Sequence, residues 1–144
     1  MRIVLDSNIL VRAFVSSRGL AHDLLLAILA SDHTLILSNE VLIEVARVLR
    51  YPRLMAVHGE NEETIYDFTG RLRDMAEVVA LDPLARAPIR DRNDIFVLQT
   101  ALSGEADVLC SGDRDFFEPP ASIFLASCGI DVLTDAQLMG KLKG

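Results

Sequence analysis

Short runs of consecutive apolar residues alternate along this chain with longer stretches in which apolar residues recur every three or four positions. The first pattern marks strands buried on both faces, and the second marks helices with one buried stripe. Arg2 to Leu5 (RIVL) is the first apolar run and ends at Asp6. Leu20 to Leu29 has helical spacing at Leu20, Leu24, Ala27 and Ile28, and Thr34 to Leu37 (TLIL) is a second strand. Ser38 precedes Asn39 and Glu40 and can cap a helix running to about Arg50, with Val41, Leu42, Val45, Val48 and Leu49 on one face. Tyr51-Pro52 ends that helix, because proline lacks the donor and restricts the residue before it.

His58 to Glu63 reads as a polar connection, Glu62 to Met75 as a helix with Ile65, Phe68 and Leu72 inward, and Glu77 to Leu81 (EVVAL) as a third strand. Asp82 to Asn93, with Pro83 and Pro88 among Arg86, Arg90 and Arg92, marks a loop and the most basic stretch of the chain. Asp91 or Asn93 can start a helix from Asp94 to Leu102, Gly104 can stop it, and Asp107 to Cys110 (DVLC) is a fourth strand followed by Ser-Gly-Asp. After Pro119-Pro120 come a short helix, Ala121 to Ser127, a fifth strand, Ile130 to Leu133, and a final helix. Strands alternating with helices predict an α/β fold, a three-layer α/β/α sandwich around a parallel sheet of four to five strands with right-handed crossovers. Function in such sheets sits at the carboxyl ends of the strands.

The 144 residues, 51% of them hydrophobic, suit one compact domain spanning 1–144, large enough to carry some unfavourably placed carboxylates. No apolar run of about 18 residues is present, so a soluble, cytoplasmic protein with no membrane partner is expected. Cys110 and Cys128 form no CxxC and have no histidine at metal spacing, so both read as small buried apolar residues. With 14 Lys+Arg against 21 Asp+Glu, the net charge of -7 excludes general attraction for nucleic acid. A polyanionic substrate would need divalent cations or a local arginine patch.

There is no GxGxxG, GxxxxGK[ST], HExxH or GxSxG, and His22, His33 and His58 fall in three separate contexts. The acids carry more information. Asp6 ends the first strand, Asp113 and Asp115 follow the fourth, and Asp94 opens a helix, so three segments can deliver carboxylates to one sheet edge. Glu44 lies beside Val41 and Val48 on the flank of a buried arc, whereas Glu40 points further toward water. Carboxylates brought together this way raise one another's pKa unless a cation compensates them, and oxygen-only ligands favour Mg2+ or Mn2+. Such an ion activates water and offsets charge on phosphate oxygens, which is phosphodiester hydrolysis. Each acid also has a plainer reading: a strand-end cap for Asp6, a first-turn acid for Asp94, a pair with Arg47 for Glu44, turn chemistry for Asp113 and Asp115. Asp91, Asp107 and Asp131 read as loop or strand-start residues.

In this arrangement the chain resembles the PIN-domain family of metal-dependent nucleases. The resemblance runs through IVLDSNIL, with Asp6 and Asn8, through SNEVLIEVARVLRYPRL, with Glu44, and through DRNDIFVLQTALSGEADVLCSGDRDFF, with Asp94, Asp113 and the variable extra acid Asp115. RVLRYPRL and SGEADVLCSGDRD are most similar to small stand-alone PIN proteins, the VapC-like toxins of bacterial and archaeal type II toxin-antitoxin pairs. The resemblance implies a Mg2+- or Mn2+-dependent endoribonuclease that forms a homodimer, and an antitoxin that blocks its site. It also implies that Asp6, Glu44, Asp94 and Asp113 hold the ions while Asn8 orients a ligand or water. Asp91 also lies close to the third acidic position; the register of Leu98, Ala101 and Leu102 favours Asp94. Arg12, Arg90, Arg92 and Arg114, and less specifically Arg18, are candidates for RNA phosphate. Two rivals remain: a PIN-like module that binds RNA or protein with weak or no catalysis, and a strand-end-Asp phosphatase, which lacks its second acid because Asn8 stands there.

Overall fold

The computed structural model describes Met1–Gly144. Five parallel strands, β1 (Arg2–Leu5), β2 (Thr34–Leu37), β3 (Glu77–Val78), β4 (Val108–Cys110) and β5 (Asp131–Leu133), form one sheet in the order β3-β2-β1-β4-β5. Ile3, Val4 and Leu5, Leu35 to Leu37 and Val108 to Cys110 are all buried, although successive side chains on a strand point to opposite faces. Both faces of the sheet are therefore covered, as an α/β/α sandwich requires.

Eight helices supply the cover: α1 (Ser7–Val15), α2 (Leu20–Leu29), α3 (Asn39–Leu49), α4 (Pro52–His58), α5 (Glu62–Met75), α6 (Arg92–Ser103), α7 (Ala121–Ser127) and α8 (Asp135–Lys143). None is long and apolar enough to cross a membrane. The expected strands and helices are present, with three differences. α1 follows β1 directly and buries Ile9, Leu10 and Ala13, although NILVRAFV looks as much like strand as helix. Pro52 ends α3 and also opens α4 from its first turn, where its missing N–H costs nothing. β3 pairs over Glu77 and Val78 alone, shorter than the apolar run EVVAL. Cys110 is buried as expected, but Cys128, at the end of α7 beside the turn at Gly129 (φ 75°), is exposed.

The strand order places the carboxyl-end crevice. From β1 the chain winds outward through β2 to β3, then returns to the other side of β1 as β4 and continues to β5. The direction reverses between β1 and β4, the topological switch point at which open α/β sheets bind ligands. Leu5 pairs with Cys110 in register, and the Asp6 amide donates to the Cys110 carbonyl at 2.9 Å, so Asp6 and Ser111 leave the sheet side by side.

The crevice has one further wall. Ser38, fully buried, caps α3 by accepting from the Val41 amide, and its hydroxyl meets Thr100 Oγ1 at 2.7 Å. Since Thr100 donates to the Phe96 carbonyl at 2.7 Å, the proton between the two hydroxyls comes from Ser38. This contact fixes the start of α3 against the middle of α6, and thereby Glu44 relative to Asp94.

Candidate functional site

Asp6 is 2% exposed and bonded on both oxygens: Ser111 Oγ donates to Oδ2 at 2.7 Å and Ser7 Oγ to Oδ1 at 3.3 Å. Burial pushes its pKa up. The Ser111 hydroxyl, the Asn8 amide and Ser7 oppose that rise, and the charge of Asp113 adds to it. Ser111, fully buried, also accepts from the Asp113 amide at 2.9 Å, so one hydroxyl ties the β1 acid to the β4 loop. Its importance was not evident from sequence. The signal lay in the register, which sets the residue after β4 beside the residue after β1.

Asp94 sits in the first turn of α6 at 8% exposure. Asp91 is the cap of that helix, its Oδ1 accepting from the Asn93 amide at 2.8 Å and the Asp94 amide at 3.4 Å, so Asp91 is engaged with backbone while Asp94 points inward. Asp113 caps a single 3-10 turn, Arg114–Phe116, by accepting from the Asp115 amide at 2.9 Å. Asp94, Asp113 and Asp115 each bring a carboxylate oxygen within 4.8 Å of the others. Asp94 is pushed up to about 8, first by burial and then by the charges of Asp113, Asp6 and Asp91, with a hydrogen bond that its protonated form donates to Asp113 acting in the same direction. A carboxyl that keeps its proton near neutral pH marks a surplus of negative charge, and a divalent cation would relieve it.

The structure thus brings Asp94, Asp113 and Asp115 together with Asp6 beside them. It turns Glu44 elsewhere. Glu44 is mostly buried, but its carboxylate accepts from Arg47 Nη2 one turn on, the plainer partner that spacing allowed. Glu40 departs from expectation too: it is half-buried, and its Oε2 is buried without a hydrogen-bond partner, because α6 packs across that side of α3.

Three neighbouring depressions surround these acids. Glu44, Arg47, Asp91, Arg92 and Asn93 line one, Asp115, Arg90 and Glu118 a second, and Asp113, Asn8, Arg12 and Arg53 a third. Arg12, Arg90 and Arg92 are exposed on these rims, while Arg12 also pairs with Asp135 at 3.2 Å. Asn8 is exposed at the start of α1. Arg114 is exposed and pairs with Glu118 at 3.6 Å. Arg53 was not anticipated; it follows the Pro52 that starts α4, which carries it to the Asp113 side. The histidines are occupied elsewhere: His22 with the Ala13 carbonyl, His33 with the amino terminus, His58 with the Leu49 carbonyl. An apolar groove of about 510 Å3, lined by Phe14, Leu25, Leu26, Phe68 and Met75, contains none of the acids.

The donor set fits a hard cation. All its members are carboxylate oxygens, three of them already converge, and the charges of Asp113, Asp6 and Asp91 that help to raise the Asp94 pKa are charges an ion would offset.

Among solved structures, the chain is similar to a chain of VapBC2 from Rickettsia felis, determined bound to a DNA fragment from their promoter. The identity is 14% and the TM-score 0.60, covering 93% of this chain and 98% of that one. At that identity the likeness is one of fold. No curated protein sequence matches the chain. The model of the PIN domain matches residues 2–115, which include β1 through β4 and Asp6, Glu44, Asp94, Asp113 and Asp115. The chain therefore belongs to the PIN-domain family.

Proposed function

We propose that this chain is a divalent-cation-dependent endoribonuclease and the toxin of a toxin-antitoxin pair. The observation that carries the reading is the convergence of Asp94, Asp113 and Asp115, with Asp6 beside them, at the switch point of a PIN-family sheet. Asp6, Glu44, Asp94 and Asp113 would hold Mg2+ or Mn2+, with Asp115 as an additional carboxylate and Asn8 orienting a ligand or water. When bound, the ion supplies a Lewis acid for phosphate oxygens and an acidified water as nucleophile.

The protein's own residues do the rest. Ser111 and Ser7 hold Asp6 in one orientation, so its carboxylate is preset rather than ordered during binding. Asp94 would give up its proton in order to hold an ion, which would couple occupancy of the site to pH. Arg12, Arg90, Arg92 and Arg114 supply guanidinium forks on the rims for phosphates flanking the cleaved bond. They offset locally a net charge of -7 that would repel RNA. Residues 1–144 act as one PIN-like unit. The fold shared with a chain of VapBC2 supports a toxin that meets an antitoxin protein. A homodimer at work in the cytoplasm is part of the same proposal.

Cleavage of a panel of single-stranded and structured RNAs tests this reading, with Mn2+, with Mg2+ and with EDTA, beside Asp6→Asn purified identically. Cutting that needs the cation and disappears in the variant is the expected result. Equal cutting by both proteins, or none by either with any cation, would overturn the nuclease reading.

A further inference from the structure

Glu44 differs from the other acids of the proposed site in being held by a cation of the protein itself. Arg47 Nη2 donates to Glu44 Oε2 and lies 3.5 Å from Asn93 Oδ1, so the guanidinium ties α3 to the start of α6 across the cleft between them. The pair is asymmetric: the Glu44 side chain is 11% exposed and that of Arg47 is 56%. A carboxylate so buried has given up most of its water, and Arg47 is the partner that compensates it. Asp6, Asp94, Asp113 and Asp115 form no ion pair; the nearby pairs of Arg12 and Arg114 go to Asp135 and Glu118.

Arg47 occupies Oε2 of Glu44, and a divalent ion drawn to the same carboxylate would be repelled by the guanidinium beside it. We propose that Arg47 is a positioning residue that stands in for the divalent cation on Glu44 and competes with any ion that Glu44 would hold together with Asp6, Asp94 and Asp113. The inference rests on the metal-site reading above. The cleft can keep the released guanidinium, since Asn93 and Glu40, whose Oε2 has no partner, line the same space. The contact gives the site a threshold: at low divalent cation the fourth carboxylate stays with Arg47, and the arginine sets the concentration at which it is surrendered.

Calorimetric titration of Mn2+ at pH 8 tests this with the wild type, Arg47→Ala, Arg47→Gln, Glu44→Gln, the Glu44→Gln/Arg47→Ala double variant, and Asp94→Asn. Both Arg47 variants should bind Mn2+ more tightly than the wild type, by about fivefold, the ceiling for a partly exposed ion pair. Glu44→Gln should bind more weakly, and Arg47→Ala should then add little or nothing in its background. Unchanged or weaker binding by both Arg47 variants would overturn the proposal. So would an equal gain with and without Glu44, which would mean a general field effect rather than displacement. If Asp94→Asn binds Mn2+ as the wild type does, the metal site itself fails. If Asp94→Asn weakens binding and the Arg47 variants leave it unchanged, the Arg47 proposal fails alone.

Discussion

Asp94 shows how a single residue reports the state of its surroundings. Its ordinary value of 3.8 is pushed up to about 8 by burial and by Asp113, Asp6 and Asp91. The folded chain therefore keeps a proton on Asp94 at pH values where the unfolded chain has lost it. Stability contributed by that proton is fully present below about pH 4 and is lost as pH rises through about 8. In EDTA the melting temperature should fall across that interval, and Asp94→Asn should flatten the fall; an unchanged slope in the variant would place the titration elsewhere. Binding of Mn2+ should displace the same proton, so affinity should rise with pH toward 8 and the titration should release protons to the buffer. Ser111 is the other residue whose role is specific. Ser111→Ala removes the short donor to Asp6, leaving a buried carboxylate oxygen to be resolvated, a loss of about 1–3 kcal/mol. Its Asp6 pKa should climb further above the ordinary range, and its Mn2+ affinity should drop about tenfold, measured by calorimetry.

At the scale of elements, two close approaches hold the site walls. Gly104 ends α6 against β2, where an added Cβ would lie 2.4 Å from Ile36 Cγ2 and 3.1 Å from the Thr100 carbonyl. Ile36 is fully buried in the sheet and cannot retreat, so Gly104→Ala should destabilise by about 1–3 kcal/mol, read from denaturant midpoints. Ser38→Ala removes the α3 cap and strips Thr100 of its donor, and should cost about 1–2 kcal/mol while loosening Glu44 against Asp94. The strands were legible because burial on both faces writes continuous apolar runs, as in RIVL and TLIL. The site-bearing helices α3 and α6 were legible from their starts, α3 from its cap Ser38 and α6 from Asp91 or Asn93, of which Asp91 is the cap. α1 was not, because its β-branched, apolar sequence lacks a polar face long enough to show the period. α4 was not, because a proline that stops one helix and starts the next reads only as a stop. The Ser38–Thr100 contact spans 62 residues, and nothing local in either segment announces it.

For the whole molecule, topology does what sequence pattern alone could only suggest. Acids from β1, α6 and the β4 loop are distant in the chain, and the reversal of strand order between β1 and β4 gathers them at one crevice. Asp6, Asp94 and Asp113 were legible as strand-end and helix-start acids. The pairing of Glu44 with Arg47 and the convergence of Asp115 on Asp94 depend on side-chain directions that spacing leaves open. A chain with net charge -7 that concentrates acids in this way should gain from divalent cations as a whole. At a Mn2+ concentration a hundredfold above its dissociation constant, linkage gives about 2.7 kcal/mol, visible as a rise in melting temperature that Asp113→Asn should abolish.

If Asp94, Asp113 and their neighbours form one divalent-cation centre, anomalous diffraction from crystals grown with Mn2+ will show a manganese peak within coordination distance of Asp94 and Asp113 at the carboxyl end of β1. A peak elsewhere on the surface, or none there at saturating Mn2+, would contradict such a centre.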